Sequence, residues 1–329
     1  MPTITTEKRN AHLIKTCVCD LGNRGLKMLD RKNLPKVFTS YYLKLEDYDD
    51  LPRANSTSVV VEDGSDRYVL GSLAKSMKGI PIYQTSKTAM AHLLVAAAIE
   101  PFEGSDLPIH IETLRLVLPD SRKTENFADL KALSGITKSI TRNGIPITFS
   151  IGKVEIIDEC LPSFWYARTA KLLNYPYATT GILDLGGGTV LGRLITPDGQ
   201  IIRKADVSLP GTYDLAREIN AFLLPKIGSS TELGLIMDAI SDGSYTIGAT
   251  GISFKKEFLT ANQKWVAGIR SQLKESWEPF KHEIGDVLIT GGSAPLAQSL
   301  EVSSSGRFRV LPNSQFVQLK GMAIGGGDS

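Results

Sequence analysis

The sequence contains few of the residues that build metal centres and disulfide frameworks. Three cysteines and four histidines occur among its 329 residues. Cys17 and Cys19 lack the further closely spaced ligands that a zinc site requires, and three cysteines cannot form the dense, even set of a disulfide-stapled secreted domain. We therefore expect Cys17 and Cys19 to be buried strand residues, and we expect a reducing compartment, the cytoplasm, for the protein.

The sequence also lacks a strong charge of either sign and a long hydrophobic run. The formal net charge is +2 and the basic residues are scattered along the chain, so no direct nucleic-acid binding is predicted. The longest apolar stretch, residues 89–99, contains His92 and is too short to cross a bilayer, so no membrane span is expected. The N-terminal residues are polar and do not resemble a signal peptide, and residues 1–12 are predicted to form a flexible tail.

What the sequence does contain is an ordinary globular composition, with 42% hydrophobic and 22% charged residues. A chain of 329 residues exceeds one hydrophobic core, so two lobes of roughly 150 residues each are expected. Segments with strand and helix periodicity alternate, which predicts an α/β protein. Strands are predicted at 13–19, 114–118, 181–185, 192–195 and 287–290, hairpins at 59–70 and around Asn143-Gly144, and helices at 88–99, 126–134, 164–173, 209–224, 232–240, 261–276 and 315–324.

Two of the predicted strands run directly into an aspartate and a glycine-rich turn. These are residues 20–27 (DLGNRGLK) and residues 184–189 (DLGGGT), and a third strand ends in Gly291-Gly292. Glycines let backbone N–H groups converge on an anion, and an aspartate beside a phosphate is favourable only if a cation such as Mg²⁺ lies between them. Each loop alone could be a hairpin with a capping aspartate, but the ordered set, with Lys27, suits a bound nucleoside triphosphate.

These motifs resemble those of a known superfamily. Residues 20–27, 184–189 and 288–294 are similar to the phosphate-1, phosphate-2 and adenosine motifs of the actin, chaperone and sugar-kinase ATPases. Within that superfamily the chain most resembles bacterial actin-like proteins of the plasmid-segregation (ParM or StbA) type, over about residues 13–327. Residues 154–160, 209–215 and 316–322 support this branch, because they resemble segments found at corresponding places in those actins.

The resemblance implies an actin-like α/β fold with two RNase H-like lobes around a central nucleotide cleft. Residues 13–179 would form lobe I and residues 180–314 lobe II, with residues 315–329 forming a C-terminal helix that returns to lobe I. ATP or GTP with Mg²⁺ would be the cofactors. Filament formation, a small DNA-binding adaptor protein as partner, and slow nucleoside-triphosphate hydrolysis would be the expected properties.

The resemblance also implies roles for individual residues. Asp20 and Asp184 would hold Mg²⁺ through water molecules, and Lys27 would reach the terminal phosphates. Glu159 would orient the attacking water, so Glu159 and Asp184 are the catalytic candidates; a carboxylate that aligns water is sufficient for slow hydrolysis. The implied nucleotide contacts are Asp20, Gly22, Asn23, Arg24, Lys27, Gly186, Gly187, Gly188, Thr189, Gly211, Glu218, Gly291, Gly292 and Ser293.

Three positions depart from the pattern of the superfamily. Arg24 stands where the first loop usually carries Ser or Thr, and it could contact phosphate or point outward. Leu191 replaces an aspartate that many relatives carry, and Ser293 replaces a common third glycine. Glu159 could equally be a solvated carboxylate, and Glu218 a surface residue.

Four functions are compatible with these motifs. The favoured one is an ATP-dependent filament-forming actin for plasmid or DNA segregation, and a cell-shape actin is its nearest alternative. A non-polymerising ATP-binding assembly adaptor and a small-molecule kinase of the same superfamily also remain, although the kinase would need a catalytic aspartate for which we find no clear candidate. A chaperone would need an added peptide-binding domain, for which the 329 residues leave no room.

Overall fold

A computed structural model describes residues 11–86, 88–122, 124–304 and 306–326. The chain divides into two compact units, Met1–Glu159 and Cys160–Ser329. Most of the predicted N-terminal tail lies outside the described residues. His12, which was predicted to belong to the tail, already begins the first strand, where its ring stacks on Phe102 with the ring centroids 3.8 Å apart.

The first unit is built on one mixed sheet, whose strands lie in the order β3-β2-β1-β8-β10-β9-β5-β6-β4-β7 within the described residues. Its core consists mainly of apolar side chains from β1, β8, β10 and the helix α2. The strands are β1 (His12–Leu21), β2 (Gly25–Leu29), β3 (Pro35–Thr39), β4 (Tyr41–Leu45), β5 (Ser58–Asp63), β6 (Asp66–Gly71), β7 (Ile80–Pro81), β8 (Ile109–Leu118), β9 (Thr137–Arg142) and β10 (Ile145–Asp158); the helices are α1 (Ser72–Ser76), α2 (Ala91–Ala98) and α3 (Thr124–Lys131).

The second unit contains a smaller sheet in the order β13-β12-β11-β14-β15. Helices α5, α6 and α7 bury a cluster of apolar side chains of their own, and α7 also packs against the sheet core through Val266, Ile269 and Leu273. The strands are β11 (Thr179–Leu185), β12 (Thr189–Ile195), β13 (Val207–Pro210), β14 (Ile284–Thr290) and β15 (Phe308–Val310); the helices are α4 (Leu161–Thr169), α5 (Thr212–Ile227), α6 (Leu233–Ser241), α7 (Lys255–Trp277), α8 (Gln298–Val302) and α9 (Val317–Ile324).

The two sheets repeat one arrangement of five strands. In the first unit, β3-β2-β1 are antiparallel neighbours, and β1, β8 and β10 then continue in parallel. In the second unit, β13-β12-β11 are antiparallel, and β11, β14 and β15 continue in parallel. The strand and aspartate–glycine turn that occur twice in the sequence therefore belong to a repeated sheet arrangement, and the predicted α/β class is confirmed.

Local signals account for several of the confirmed elements. The hairpin of β5 and β6 lies where 59–70 predicted it. Asn143 and Gly144 connect β9 to β10 with φ values of 52° and 78°. Positive φ at both central residues is what a two-residue type I′ hairpin requires, and Asn-Gly is the preferred pair for it.

The division into units differs from the predicted lobe boundary at residue 179. Residues 160–179 group with the second sheet, and so does α9, which was predicted to return to lobe I. Within the second unit α9 packs closely on α4, because Gly321 has no side chain: a Cβ there would lie 1.7 Å from the carbonyl oxygen of Pro162. The side-chain carbonyl of Gln318 also accepts a hydrogen bond of 2.9 Å from the backbone N–H of Cys160.

Several predicted helices begin or end elsewhere, and the helix predicted at 261–276 is α7, which already begins at Lys255. The helix predicted at 164–173 is α4, which ends at Thr169; two residues later Lys171 adopts a left-handed φ of 55°. The helix predicted at 209–224 starts only at Thr212, because the residues before it form β13 and pair with β12. Among the described residues, no helix combines the length and the hydrophobicity that crossing a bilayer demands.

The three thiols are expected to be inert in the folded protein. Cys19 and Cys160 are buried, whereas Cys17, predicted to be buried, is only half-buried; burial still raises the pKa of its thiol to about 12. The thiolate is the reactive form of cysteine. Titration with a chromogenic disulfide reagent at pH 8 should therefore detect almost no thiol in the native protein and three after unfolding in guanidinium. A native protein that reacts rapidly would contradict the protection of these three thiols.

Candidate functional site

The first candidate segment, residues 20–27, connects β1 to β2 and is called the first turn. Asp20 lies near the carboxyl end of β1 with 5% of its surface exposed, and it is paired in register with Lys27 of β2. Their side chains form an ion pair of 2.9 Å between Nζ and Oδ2. The register therefore brings together the two charged residues that the sequence separates by seven positions.

The first turn is tight at Gly22. A Cβ on this residue would lie 2.7 Å from the carbonyl oxygen of Gly25, so a side chain would clash with the returning strand. The backbone N–H of Asn23, at the tip of the turn, donates no hydrogen bond within the described chain. The tip therefore presents a donor to solvent or to an anion.

The second candidate segment, residues 184–189, connects β11 to β12 and is called the second turn. Gly186 repeats the geometry of Gly22, since a Cβ there would lie 2.8 Å from the carbonyl oxygen of Thr189. The N–H of Gly186 donates to that oxygen at 2.9 Å. The N–H groups of Gly187 and Gly188 find no acceptor among the described residues, so both are available to a phosphate.

The carbonyl groups of the same glycines cap helix α5. The N–H groups of Gly211, Thr212 and Tyr213 donate to the carbonyl oxygens of Gly188, Gly186 and Gly187 at 3.2, 3.3 and 2.8 Å. No side chain among the described residues caps this helix. The first N–H groups of a helix lack intrahelical partners, and here the second turn satisfies three of them. The backbone N–H groups at the start of α5 are therefore already engaged, and the turn amides are the candidate donors for an anion.

A third segment, residues 291–293, lies directly against the second turn. Thr290 of β14 is in register with Asp184 of β11, and the chain then turns at Gly291 with φ of 92°. A Cβ on Gly291 would lie only 2.3 Å from Oδ1 of Asp184. The N–H of Ser293 donates to the carbonyl oxygen of Leu185 at 2.9 Å, and the Ser293 hydroxyl lies 3.3 Å from that of Thr212.

The candidate residues of each unit share one edge of its sheet. Strands β1, β8 and β10 are parallel, so their carboxyl ends place the first turn and Glu159 at the same edge. Strands β11 and β14 are parallel as well, and their carboxyl ends carry Asp184 and Gly291. Open α/β sheets bind ligands outside the carboxyl ends of their strands, so each edge is a reasonable ligand site.

The two consecutive acids at the end of β10 differ in their surroundings. Both carboxylate oxygens of Asp158 accept hydrogen bonds of 3.0 Å from Ser121, one from its N–H and one from its hydroxyl. Asp158 therefore stabilises the loop that follows β8. Glu159 donates its backbone N–H to the carbonyl oxygen of Leu118 at 2.9 Å, and its side chain is half-buried.

The surroundings of Glu218 and Leu191 bear on the roles that the motifs suggest for these two positions. Glu218 of α5 forms an ion pair of 2.7 Å with Lys264 of α7, which favours the surface role over a contact with ribose. Leu191 lies directly opposite Asp184 on β12, the position that Lys27 occupies opposite Asp20. The two aspartates therefore face different cross-strand neighbours, a cation in the first turn and an apolar side chain in the second.

The carboxylate at each turn is the kind of ligand that a hydrated Mg²⁺ takes. Within the described ranges no three His, Cys, Asp or Glu side chains gather as a metal cluster. Mg²⁺ is usually held by one or two carboxylates together with water and phosphate oxygens, and Asp20 and Asp184 provide that kind of ligand. The amides of Gly187 and Gly188, for which the described part of the chain offers no acceptor, would complement the phosphates.

Sequence reasoning missed Ser40 and Thr212. Ser40 follows β3, and its hydroxyl donates to the carbonyl oxygen of Gly22 at 2.5 Å. Thr212 opens α5 and donates to Gly186, as described above. The signal that could have identified Ser40 and Thr212 is their position one or two residues after the third strand of each repeat. The sequence did not predict that strand in either unit.

Comparison with known proteins establishes the fold. No protein-family model matches the chain, and no curated protein sequence does. Among solved structures, the archaeal actin homolog Ta0583 superposes with a TM-score of 0.79 at 15% identity, covering 94% of this chain and 98% of that one. The same homolog in complex with ADP gives a TM-score of 0.76 at 12% identity, with the same coverage.

A bacterial filament protein matches almost as well. The structure of a 15-stranded ParM filament from Clostridium botulinum gives a TM-score of 0.76 at 17% identity, covering 94% of this chain and 98% of that one. The protein therefore has the actin-like fold that the resemblance implies.

Proposed function

We propose that this protein is an ATP-dependent, filament-forming actin-like protein whose assembly is controlled by nucleotide binding and hydrolysis. The observation that carries the proposal is the repeated aspartate–glycine turn, which occurs at the carboxyl end of β1 and again at the carboxyl end of β11. Both copies place a carboxylate beside a tip whose backbone N–H groups, at Asn23 and at Gly187 and Gly188, have no acceptor within the described residues. This pairing suits a phosphate chain with a divalent cation, and the archaeal homolog described above has been solved with ADP.

The residues of the two turns would each have a separate role in phosphoryl transfer. Gly187 and Gly188 would donate N–H groups to phosphate oxygens, and Lys27 would add a positive charge from the first turn. Asp20 and Asp184 would hold Mg²⁺ through water, and the ion would neutralise charge on the phosphates when bound. Glu159 would orient the attacking water. Positioning and charge neutralisation are most of what a protein contributes to this reaction, and the proposed rate is slow.

Filament formation is the second part of the proposal. Contacts between copies of an actin-like protein that repeat head to tail are heterologous, and heterologous contacts generate open filaments unless the rotation closes. The Clostridium botulinum relative is known as a filament, which supports the same behaviour here. Plasmid or DNA segregation through a small DNA-binding adaptor in the cytoplasm is the proposed role, with cell-shape scaffolding as its alternative.

The test is assembly of the purified protein. Light scattering, sedimentation and electron microscopy at micromolar concentration with Mg²⁺ and ATP, GTP or a slowly hydrolysed analogue should show filaments that depend on the nucleotide. A protein that binds nucleotide but stays monomeric across concentration, salt and crowding would contradict filament formation and favour an assembly adaptor. A protein that binds no nucleotide would contradict the proposal as a whole.

Removing the carboxylate of the second turn should weaken the metal-dependent part of nucleotide binding. Asp184→Ala is expected to lower the apparent affinity for Mg²⁺ in the presence of nucleotide about tenfold, because groups that hold a metal through water typically contribute that much. Titration of Mg²⁺ against a fixed ADP concentration measures the effect. Asp198→Ala, which alters an acid in the turn after β12, is the matched control and should bind Mg²⁺ like the wild type.

A further inference from the structure

Ser40 connects the third strand of the first unit to the first turn by two hydrogen bonds. It has 1% of its surface exposed and lies between β3 and β4. Its hydroxyl donates to the carbonyl oxygen of Gly22 at 2.5 Å, and its backbone N–H donates to that of Arg24 at 3.1 Å. These two carbonyl groups flank the amide of Asn23 at the tip of the turn. Both bonds therefore act on the backbone that would face a phosphate.

The second unit holds its turn through the same two carbonyl positions. Gly25 pairs with Thr39 in the first sheet, and Thr189 pairs with Pro210 in the second, so Ser40 and Gly211 occupy equivalent positions. The N–H of Gly211 donates to Gly188 at 3.2 Å, as the N–H of Ser40 does to Arg24. The backbone bond, from Ser40 to Arg24, is thus repeated in the second unit as the bond from Gly211 to Gly188.

The bond to the other carbonyl, that of Gly22 or Gly186, is donated by different groups in the two units. In the second unit the carbonyl oxygen of Gly186 accepts from the N–H of Thr212, at 3.3 Å, where the chain enters helix α5. In the first unit the chain enters strand β4 and not a helix after Ser40, so no helix amide is present there. The hydroxyl of Ser40 takes its place at the equivalent carbonyl of Gly22.

We infer that Ser40 is a positioning residue for phosphate binding, whose hydroxyl replaces in the first unit the helix amide that orients the second turn. This inference rests on the proposed nucleotide-binding function. The hydroxyl holds the carbonyl of Gly22 away from the anion, and the amide of Asn23 then faces it. Loss of the hydroxyl lets the peptide groups of the turn reorient, and the contact with phosphate weakens while contacts with the nucleoside do not.

The experiment compares ligands with and without phosphate. Calorimetric titration of wild type, Ser40→Ala and Ser40→Gly with Mg²⁺-ADP and with adenosine separates the two contributions. Both variants should lose about three- to tenfold in affinity for Mg²⁺-ADP, the size expected for one hydrogen bond, and keep the wild-type affinity for adenosine. Ser40→Ala removes only the hydroxyl. Ser40→Gly removes the whole side chain and reproduces the residue at the equivalent position of the second unit. Both variants retain the backbone N–H that donates to Arg24.

Ser58→Ala is the matched control. Ser58 is also 1% exposed and lies in the first unit, but its hydroxyl bonds to Asn55 and not to the first turn. Its variant should bind Mg²⁺-ADP like the wild type. A wild type that binds neither ligand would overturn the proposed function. If the wild type binds both ligands, three results would overturn the role of Ser40 alone. The Ser40 variants could bind Mg²⁺-ADP as tightly as the wild type, lose affinity for both ligands alike, or show the same affinities as Ser58→Ala.

Discussion

Replacing Glu159 by alanine is expected to slow nucleotide hydrolysis about 10²-fold while leaving nucleotide affinity nearly unchanged. General-base assistance from a positioned side chain contributes 10²–10⁴-fold, and a group that aligns water lies at the low end of that range. The adjacent acid, Asp158, accepts hydrogen bonds from Ser121 through both carboxylate oxygens and serves as a structural residue. Phosphate release measured under single-turnover conditions, together with nucleotide titration, gives both quantities.

The control for this experiment is a glutamate of the same sheet that faces solvent. Glu112 of β8 is exposed, and Glu112→Ala should hydrolyse nucleotide at the wild-type rate. If hydrolysis drives filament disassembly, Glu159→Ala filaments should also persist longer than wild-type filaments in light scattering. Equal hydrolysis rates for wild type and Glu159→Ala would remove this residue from the mechanism.

The second large effect concerns stability and the packing of α9 on α4. Gly321→Ala should lower the free energy of unfolding by about 3 kcal/mol, because its Cβ would lie 1.7 Å from the carbonyl oxygen of Pro162. Overpacking usually costs about 1–3 kcal/mol, and backbone cannot move aside as a flexible side chain can. The midpoint of guanidinium unfolding, followed by circular dichroism, measures the change.

A second glycine-to-alanine change provides a control that should change the free energy of unfolding in the opposite direction. Gly268 lies inside the exposed face of α7, and a Cβ there would have no atom within 4 Å. Gly268→Ala should therefore stabilise the protein by about 0.5–1 kcal/mol through the higher helix propensity of alanine. Equal midpoints for the two variants would show that α9 and α4 do not pack as closely as described.

The sequence by itself determined the elements whose signals are local. Buried apolar runs predict the strands β1, β8, β11 and β14, because a short uninterrupted hydrophobic segment bounded by turn residues is typical of a strand that is covered on both faces. The glycine turns after Asp20 and Asp184 are local as well, since close backbone approach excludes side chains wherever the chain reverses. The predicted hairpins and most helices follow from the same kind of signal.

The short antiparallel strands were not predictable in this way. β2, β3 and β13 are four or five residues long and lie inside larger polar segments, and pairing with a neighbour is what makes them strands. For the same reason the helix predicted from residue 209 starts at Thr212, since pairing with β12 keeps the preceding residues extended. Register, which joins residues distant in sequence, decides these boundaries.

Only the tertiary structure decided how the candidate residues are held. The cross-strand pairing of Asp20 with Lys27, the contact of Gly291 with Asp184, and the bond from Ser40 to Gly22 all join different strands. A sequence motif specifies the residues that a turn needs, because steric limits act between neighbours in the chain. The partners that orient the turn come from strands whose positions depend on the packing of the whole sheet, so no local pattern of residues specifies them.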